Sequence, residues 1–265
     1  MHRDGLKAKS EAFTLSSLPC PSFFCWLCHL LQMSTTSAPP NAEDALDFCQ
    51  RMCAQSQRGS SHNADHMARV WDIANELLED NLANPTASTV KLSSAGAFLL
   101  RLLCLTHDLC DHKYDHDSKI RSAYDAWLGK LGYSPSDVLQ IHRVLVYAGY
   151  SAEGKQRNGA SCVDWVGILA SPIGHVSAAE VRYVRQLLSE ADKLDALGLG
   201  GIERCQQYIV EVEPSLEDNR DELHRLVVQH YHDKLGRLPE FFETERGVQQ
   251  AQQSRDEMAT ALGIL

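Results

Sequence analysis

From Ala42 onward the apolar positions follow a helical period of three to four residues. Ser60 and Ser61 are capping candidates for a segment carrying Met67, Val70, Ile73, Leu77 and Leu78, predicted to end near Asn84-Pro85. The next helix is predicted to begin near Ser88 or Thr89. Its Phe98, Leu99, Leu102, Leu103 and Leu105 make it apolar on nearly every side, as expected at the centre of a globule, and His107 and Asp108 lie at its C-terminal end. Further helices are predicted at Ser118 to Leu131, at Ser134 to Tyr147 with Ser134-Pro135 as its start signal, and at Ser177 to Asp192. Two more close the chain near Glu217 to Leu235 and Glu240 to Leu262. Gly149 to Gly174, with several glycines, Pro172 and no period, reads as a long loop or insertion placed to act as a lid. The predicted fold class is all-α.

Composition sharpens this picture. At 265 residues and 44% apolar content the chain can bury a large core, and residues 41–265 read as one domain. The net charge of -10 argues against a surface that holds nucleic acid by neutralising phosphates. A small anionic substrate stays compatible with it, since a few cations inside a cleft outweigh a negative periphery at short range. No run approaches the roughly 20 apolar residues that span a bilayer. Nine cysteines without regular spacing point to reduced thiols and a cytoplasmic protein rather than a secreted disulfide scaffold. Residues 1–40 stand apart: Arg3, Lys7 and Lys9 precede a short apolar run from Phe23 to Leu31, then Met33 and a Ser/Thr/Pro-rich stretch. They read as a disordered leader, with organelle targeting by residues 1–32 or a start at Met33 as alternatives. Cys25 to His29 has the spacing of a haem attachment sequence, but no haem pocket is apparent elsewhere. No feature fixes an oligomeric state.

Three polar clusters interrupt the apolar pattern: His62-Asn63-Ala64-Asp65-His66, His107-Asp108 and Asp192-Lys193-Leu194-Asp195. Burying imidazoles and carboxylates without partners is costly, and one shared divalent cation would satisfy them together. His62 and His66 are four apart, as in a zinc protease helix, but Asn63 stands where that class needs a glutamate base. His112, Asp115, His116 and Asp117 read as a solvated loop rather than a second metal site.

His66-Met-Ala-Arg69-Val70, Thr106-His107-Asp108 and Ala191-Asp192-Lys193-Leu194, in that order, resemble the signature of the HD superfamily of metal-dependent phosphohydrolases. Asp192 to Gly198, His230 to Leu235 and Glu243-Thr244-Glu245 resemble its compact single-domain subgroup, over roughly residues 44–262. The resemblance implies an HD-domain helical bundle with a metal site at its centre, held by His66, His107, Asp108 and Asp192. It implies hydrolysis of nucleotides or related small phosphate esters or anhydrides. Asn63-Ala64-Asp65 and Glu190 depart from the subgroup's pattern, and residues 156–181 look longer than in relatives. A mixed nitrogen and oxygen shell suits Mn²⁺ first, with Fe²⁺, Zn²⁺, Co²⁺ and Mg²⁺ also admitted, and such an ion lowers the pKa of bound water toward about 7. Asp111 occupies the position where the superfamily often has an acidic group acting on that water. Arg69, Lys113 and Lys193 are candidate phosphate partners, and His62 is a candidate acid/base or orienting group. The alternative is a catalytically silent module that binds metal and nucleotide for regulation.

Overall fold

A computed structural model describes residues 42–265 apart from 87–88, 112–114, 117, 159–166 and 168. The expected leader and Lys113, His112 and Asp117 therefore lie outside the described residues. Within them the chain is all-α: α1 (Ala42–Gln55), α2 (Ala64–Ala83), α3 (Ser94–Thr106), α4 (Lys119–Lys130), α5 (Pro135–Ala148), α6 (Tyr150–Arg157), α7 (Ala178–Asp195), α8 (Gly198–Val212), α9 (Arg220–Asp233) and α10 (Glu245–Ala261). Short 3-10 turns occupy Ser60–His62, Pro214–Leu216 and Leu235–Phe241.

The core is built by α2, α3 and α7, which pack on one another pairwise. α2 buries Met67, Val70, Ala74, Leu77 and Leu78 at helical spacing, and α3 is buried on every side, including Leu99, Leu100, Leu102 and Leu103. Each such leucine contributes about 1.5–3 kcal/mol on removal from water. Between positions 180 and 194 of α7 only Arg182 and Asp192 escape burial. An acidic side chain on an otherwise buried helix already marks position 192 as special.

His66 begins α2, while His107 follows the last residue of α3 and Asp192 lies in the last turn of α7. All three therefore meet at one end of the core. The opposite end is fastened by Glu180: one carboxylate oxygen accepts from the Ser93 amide at 2.6 Å, the other from the Ser177 amide and hydroxyl at 3.0 and 2.8 Å. Ser93 and Ser177 are the N-caps of α3 and α7, so one negative charge serves two positive helix ends.

Several boundaries differ from those predicted, for local reasons. Asn63, not Ser60 or Ser61, caps α2, its side chain accepting from the amides of Asp65 and His66. His62 therefore lies in the preceding 3-10 turn and not one helical turn before His66. α3 starts later than predicted because the Ser93 hydroxyl accepts from the Gly96 amide at 3.1 Å and sets the cap there. The segment read as a loop contains α6, tied down through Glu153, which pairs with Arg185 and, at 2.6 Å, with Lys193. α8 was not predicted, because Gly198, Gly200 and Gly201 disfavour a helix start by propensity. Two of these glycines are required by geometry: Gly198 has φ +68°, and a Cβ at Gly201 would run into the Ala196 carbonyl.

Candidate metal centre

The four residues expected to bind metal converge. His66 Nε2 lies 3.2 Å from His107 Nε2 and 3.6 Å from both Asp108 Oδ2 and Asp192 Oδ1. His107 Nε2 lies 3.6 Å from Asp108 Oδ1 and 3.7 Å from Asp192 Oδ1. Ligand atoms at roughly 2.1 Å from one ion stand about 3.0 Å apart at right angles and about 3.4 Å apart at tetrahedral angles. The observed separations fit that arrangement with little rearrangement.

The ring orientations fit as well. His107 Nδ1 bonds to the Cys104 carbonyl at 3.0 Å, an acceptor only, so Nδ1 carries the proton. His66 Nδ1 lies 2.8 Å from Asp195 Oδ2, which holds its proton in the same way. Both Nε2 atoms thus face the cluster with the atom a metal needs, an orientation that metal-site histidines owe to just such partners. The Asp108 backbone is fixed from outside, since Arg58 donates to the carbonyls of Asp108 and Leu109 at 2.7 and 2.6 Å. Both carbonyls lie in the turn that follows α3.

Electrostatics agree with a cation site. Burial alone would lower His107, but the carboxylates of Asp108 and Asp192 outweigh it and raise the imidazole to about 9. Despite a burial cost, His107 and His66 hold Asp108 well below the usual carboxylate range, and Asp192 is held low by His107 and Arg204. Asp195 is held near about 2 by His66, Arg69 and Arg204 against the cost of its burial. His62 goes the other way: burial lowers it to about 4, so it is neutral at pH 7. The Ser61 hydroxyl donates to Glu211 Oε2 at 2.7 Å and lies 2.7 Å from His62 Nδ1. Having given its one hydrogen to Glu211, it must accept from His62 Nδ1–H, which puts the ring's lone pair on Nε2.

The cluster opens into a cavity of about 290 Å³ lined by His62, Asp108 and Asp192 and by Arg204, His230 and Lys234. Tyr150 and Tyr208 line it too, with Lys234 Nζ 5.2 Å from the centre of the Tyr150 ring. Among the described residues His66, His107 and Asp192 form a group whose ligand atoms lie mutually within metal-binding reach.

Other candidates lie elsewhere. Arg69 Nε and Nη2 donate to the two oxygens of Asp195 at 2.8 and 3.2 Å. Its guanidinium thus braces the carboxylate that orients His66. Lys193 lines the cavity but is buried against Glu153, Ser189 and the Ala148 carbonyl, and burial lowers its ammonium to about 7. Asp111 lies half-buried in the turn past α3, its amide donating to the Asp108 carbonyl at 3.1 Å. Asp115 caps α4 by accepting from the amides of Ile120 and Arg121 at 2.9 and 2.8 Å, which gives it a structural task. Arg204, Asp195, Glu211 and Arg58 were not anticipated as parts of the site. Only Asp195, three residues past Asp192 and so on the same face of α7, carried a sequence signal.

No family model matches the sequence, and no curated protein matches it. Solved structures do. A Lactobacillus plantarum protein is 18% identical, covering 86% of this chain and 96% of its own, with a TM-score of 0.55. Bacillus subtilis YpgQ, crystallised in complex with ADP, is 18% identical over 84% of this chain and 94% of its own, at a TM-score of 0.51. An HD-superfamily hydrolase from Bacillus thuringiensis is 18% identical over 84% of this chain and 93% of its own, also at 0.51. Likeness over more than four fifths of its length, with two histidines and two aspartates meeting where three core helices converge, gives this chain the fold of the HD-superfamily hydrolases.

Proposed function

We propose that the protein is a metal-dependent phosphohydrolase acting on nucleotides or related small phosphate esters or anhydrides. The observation that carries this reading is the cluster of His66 and His107, 3.2 Å apart and each within 3.7 Å of Asp108 and Asp192, beside a cavity that Arg204 and Lys234 also line. A divalent ion on those ligands supplies Lewis acidity and an acidified water at neutral pH. Mn²⁺ is the first choice, and Fe²⁺, Zn²⁺, Co²⁺ and Mg²⁺ suit the same donors. Arg204 and Lys234 would receive the phosphate oxygens, where fixed cations stabilise developing negative charge, and His230, which burial and Lys234 keep below its ordinary value, would add a neutral N–H donor. His62, neutral at pH 7 and lining the cavity with Asp108 and Asp192, is the candidate to orient or deprotonate a water. Asp111 and Lys113 are kept as further candidates for proton transfer and phosphate binding. The ADP in the crystal of YpgQ, which shares the fold, supports a nucleotide as the ligand.

The reading is tested by incubating purified protein with Mn²⁺ and a panel of nucleotides, assaying phosphate and pyrophosphate separately. One of the two products is expected, and Asp108→Ala is expected to lower turnover by at least about a thousandfold together with bound metal. Undiminished activity in a metal-loaded Asp108→Ala protein would overturn it. Tight nucleotide binding without product across the panel would instead favour the regulatory module.

A further inference from the structure

Arg204 has an unusual position for a cation in a cation-binding cluster. Its Nη2 is 3.0 Å from His66 Nε2, its Nη1 is 3.3 Å from Asp195 Oδ2 and 3.9 Å from Asp192 Oδ1, and its Nε donates to the Ser61 carbonyl at 2.8 Å. A guanidinium only donates, so Nη2 takes up the lone pair of His66 Nε2. That is the lone pair a metal ion needs, because Asp195 fixes the His66 proton on Nδ1. One lone pair cannot serve both. The rest of the guanidinium borders the cavity, and its side chain is 13% exposed.

We propose that Arg204 is an internal counter-ion that competes with the divalent cation for His66, and that metal binding displaces its Nη groups into the cavity, where they meet the anionic end of the substrate. The inference rests on the metal-centre reading above. Its chemistry is one of exchange: a protein cation leaves the lone pair of His66 and the neighbourhood of Asp192, and a metal cation takes both. The Nε contact with Ser61, on the 3-10 turn before α2, provides a pivot, so the Nη atoms can move while the stem stays in place. Arg204 thereby offsets part of the repulsion among Asp108, Asp192 and Asp195, and it couples metal loading to readiness for an anion.

A purely structural role predicts the opposite sign from competition, which makes the test sharp. The full chain, stripped with chelator and free of phosphate and nucleotide, is titrated calorimetrically with MnCl₂ as wild type, Arg204→Met and Arg204→Lys. Competition predicts about tenfold tighter Mn²⁺ binding by Arg204→Met, the loss expected for a charged hydrogen bond, with Arg204→Lys in between. It also predicts that metal-free Arg204→Met melts below metal-free wild type, that Mn²⁺ raises its melting temperature by more, and that Mn²⁺-loaded Arg204→Met binds pyrophosphate more weakly. Equal or weaker Mn²⁺ binding by Arg204→Met with a wild-type helical spectrum overturns the proposal. If Arg204→Met does not fold, Arg204→Lys decides alone, and Mn²⁺ binding no tighter than wild type overturns it. Failure of all three proteins to bind Mn²⁺ overturns the metal-centre reading, and this inference with it.

Discussion

At the scale of single residues, the site is a cluster of candidate metal ligands held in place by a second set of side chains around them. Asp195 is the clearest of these: it fixes the His66 tautomer and is itself gripped by Arg69 and Arg204. Replacing it with Asn keeps the shape but weakens the acceptor that holds the Nδ1 proton. Asp195→Asn is therefore expected to lower Mn²⁺ affinity by about 10- to 100-fold, the usual cost of losing such a partner, while leaving the helical spectrum unchanged. Calorimetric titration with MnCl₂ checks this, and unaltered affinity would show that Asp195 does not orient the ligand. The same distinction explains what the sequence could disclose. His66, His107, Asp108 and Asp192 are legible because each interrupts an apolar helical run. Arg69 was visible through its place beside His66, but its partner is 126 residues away, so its task was not. Arg204 and Ser61 are separated by 143 residues, and the spacing rules of one helix say nothing about such a pair.

At the scale of elements, Glu180 is the junction on which the placement of α3 and α7 depends. Its carboxylate is partly penalised by burial, yet the hydroxyls and amides of Ser93 and Ser177 more than compensate and hold it near about 2, below its ordinary 4.5. A depressed carboxyl stabilises the fold above its unfolded value and loses that contribution as pH falls through its folded value. The stabilisation from Glu180 is thus complete above about pH 4.5 and is lost as pH falls toward about 2. Glu180→Gln is expected to reduce stability at pH 7 by about 1–2 kcal/mol, the range for a lost helix cap, with the gap to wild type closing at low pH. Urea unfolding at pH 7 and near pH 2 measures this, and a gap that stays constant would refute the assignment. Elements were legible where the apolar period was strong, as in α2, α3 and α7. α6 was hidden because its sequence has little apolar face, and it is anchored by Glu153 meeting Arg185 and Lys193 from another helix. α8 was hidden behind glycines whose need appears only when Ala196 is seen packed against Gly201.

At the scale of the whole molecule, the cavity joins two parts with different chemistry. α2, α3 and α7 bring the imidazoles and carboxylates, whereas α8 and α9 with the residue that follows bring Arg204, His230 and Lys234. A chain with net charge -10 repels an anion at long range, but this repulsion is screened within about 8–10 Å at ordinary ionic strength. Inside the cavity the local cations decide the sign. Lys234 lines the cavity outside the cluster of candidate ligands, its ammonium near the face of Tyr150. Lys234→Met keeps most of the stem's packing and removes only the charge. Binding of ADP to the Mn²⁺-loaded protein is therefore expected to weaken by about tenfold, as for loss of one charge-assisted hydrogen bond, while Mn²⁺ affinity stays at the wild-type value. Asp192→Ala is expected to do the reverse in order of cause, losing Mn²⁺ first and ADP as a consequence. Titrating each variant with MnCl₂ alone and then with ADP at saturating Mn²⁺ separates the two. If Lys234→Met weakened Mn²⁺ as much as ADP, this division of labour would be wrong, because a charge outside the cluster would then be acting through the candidate metal ligands themselves.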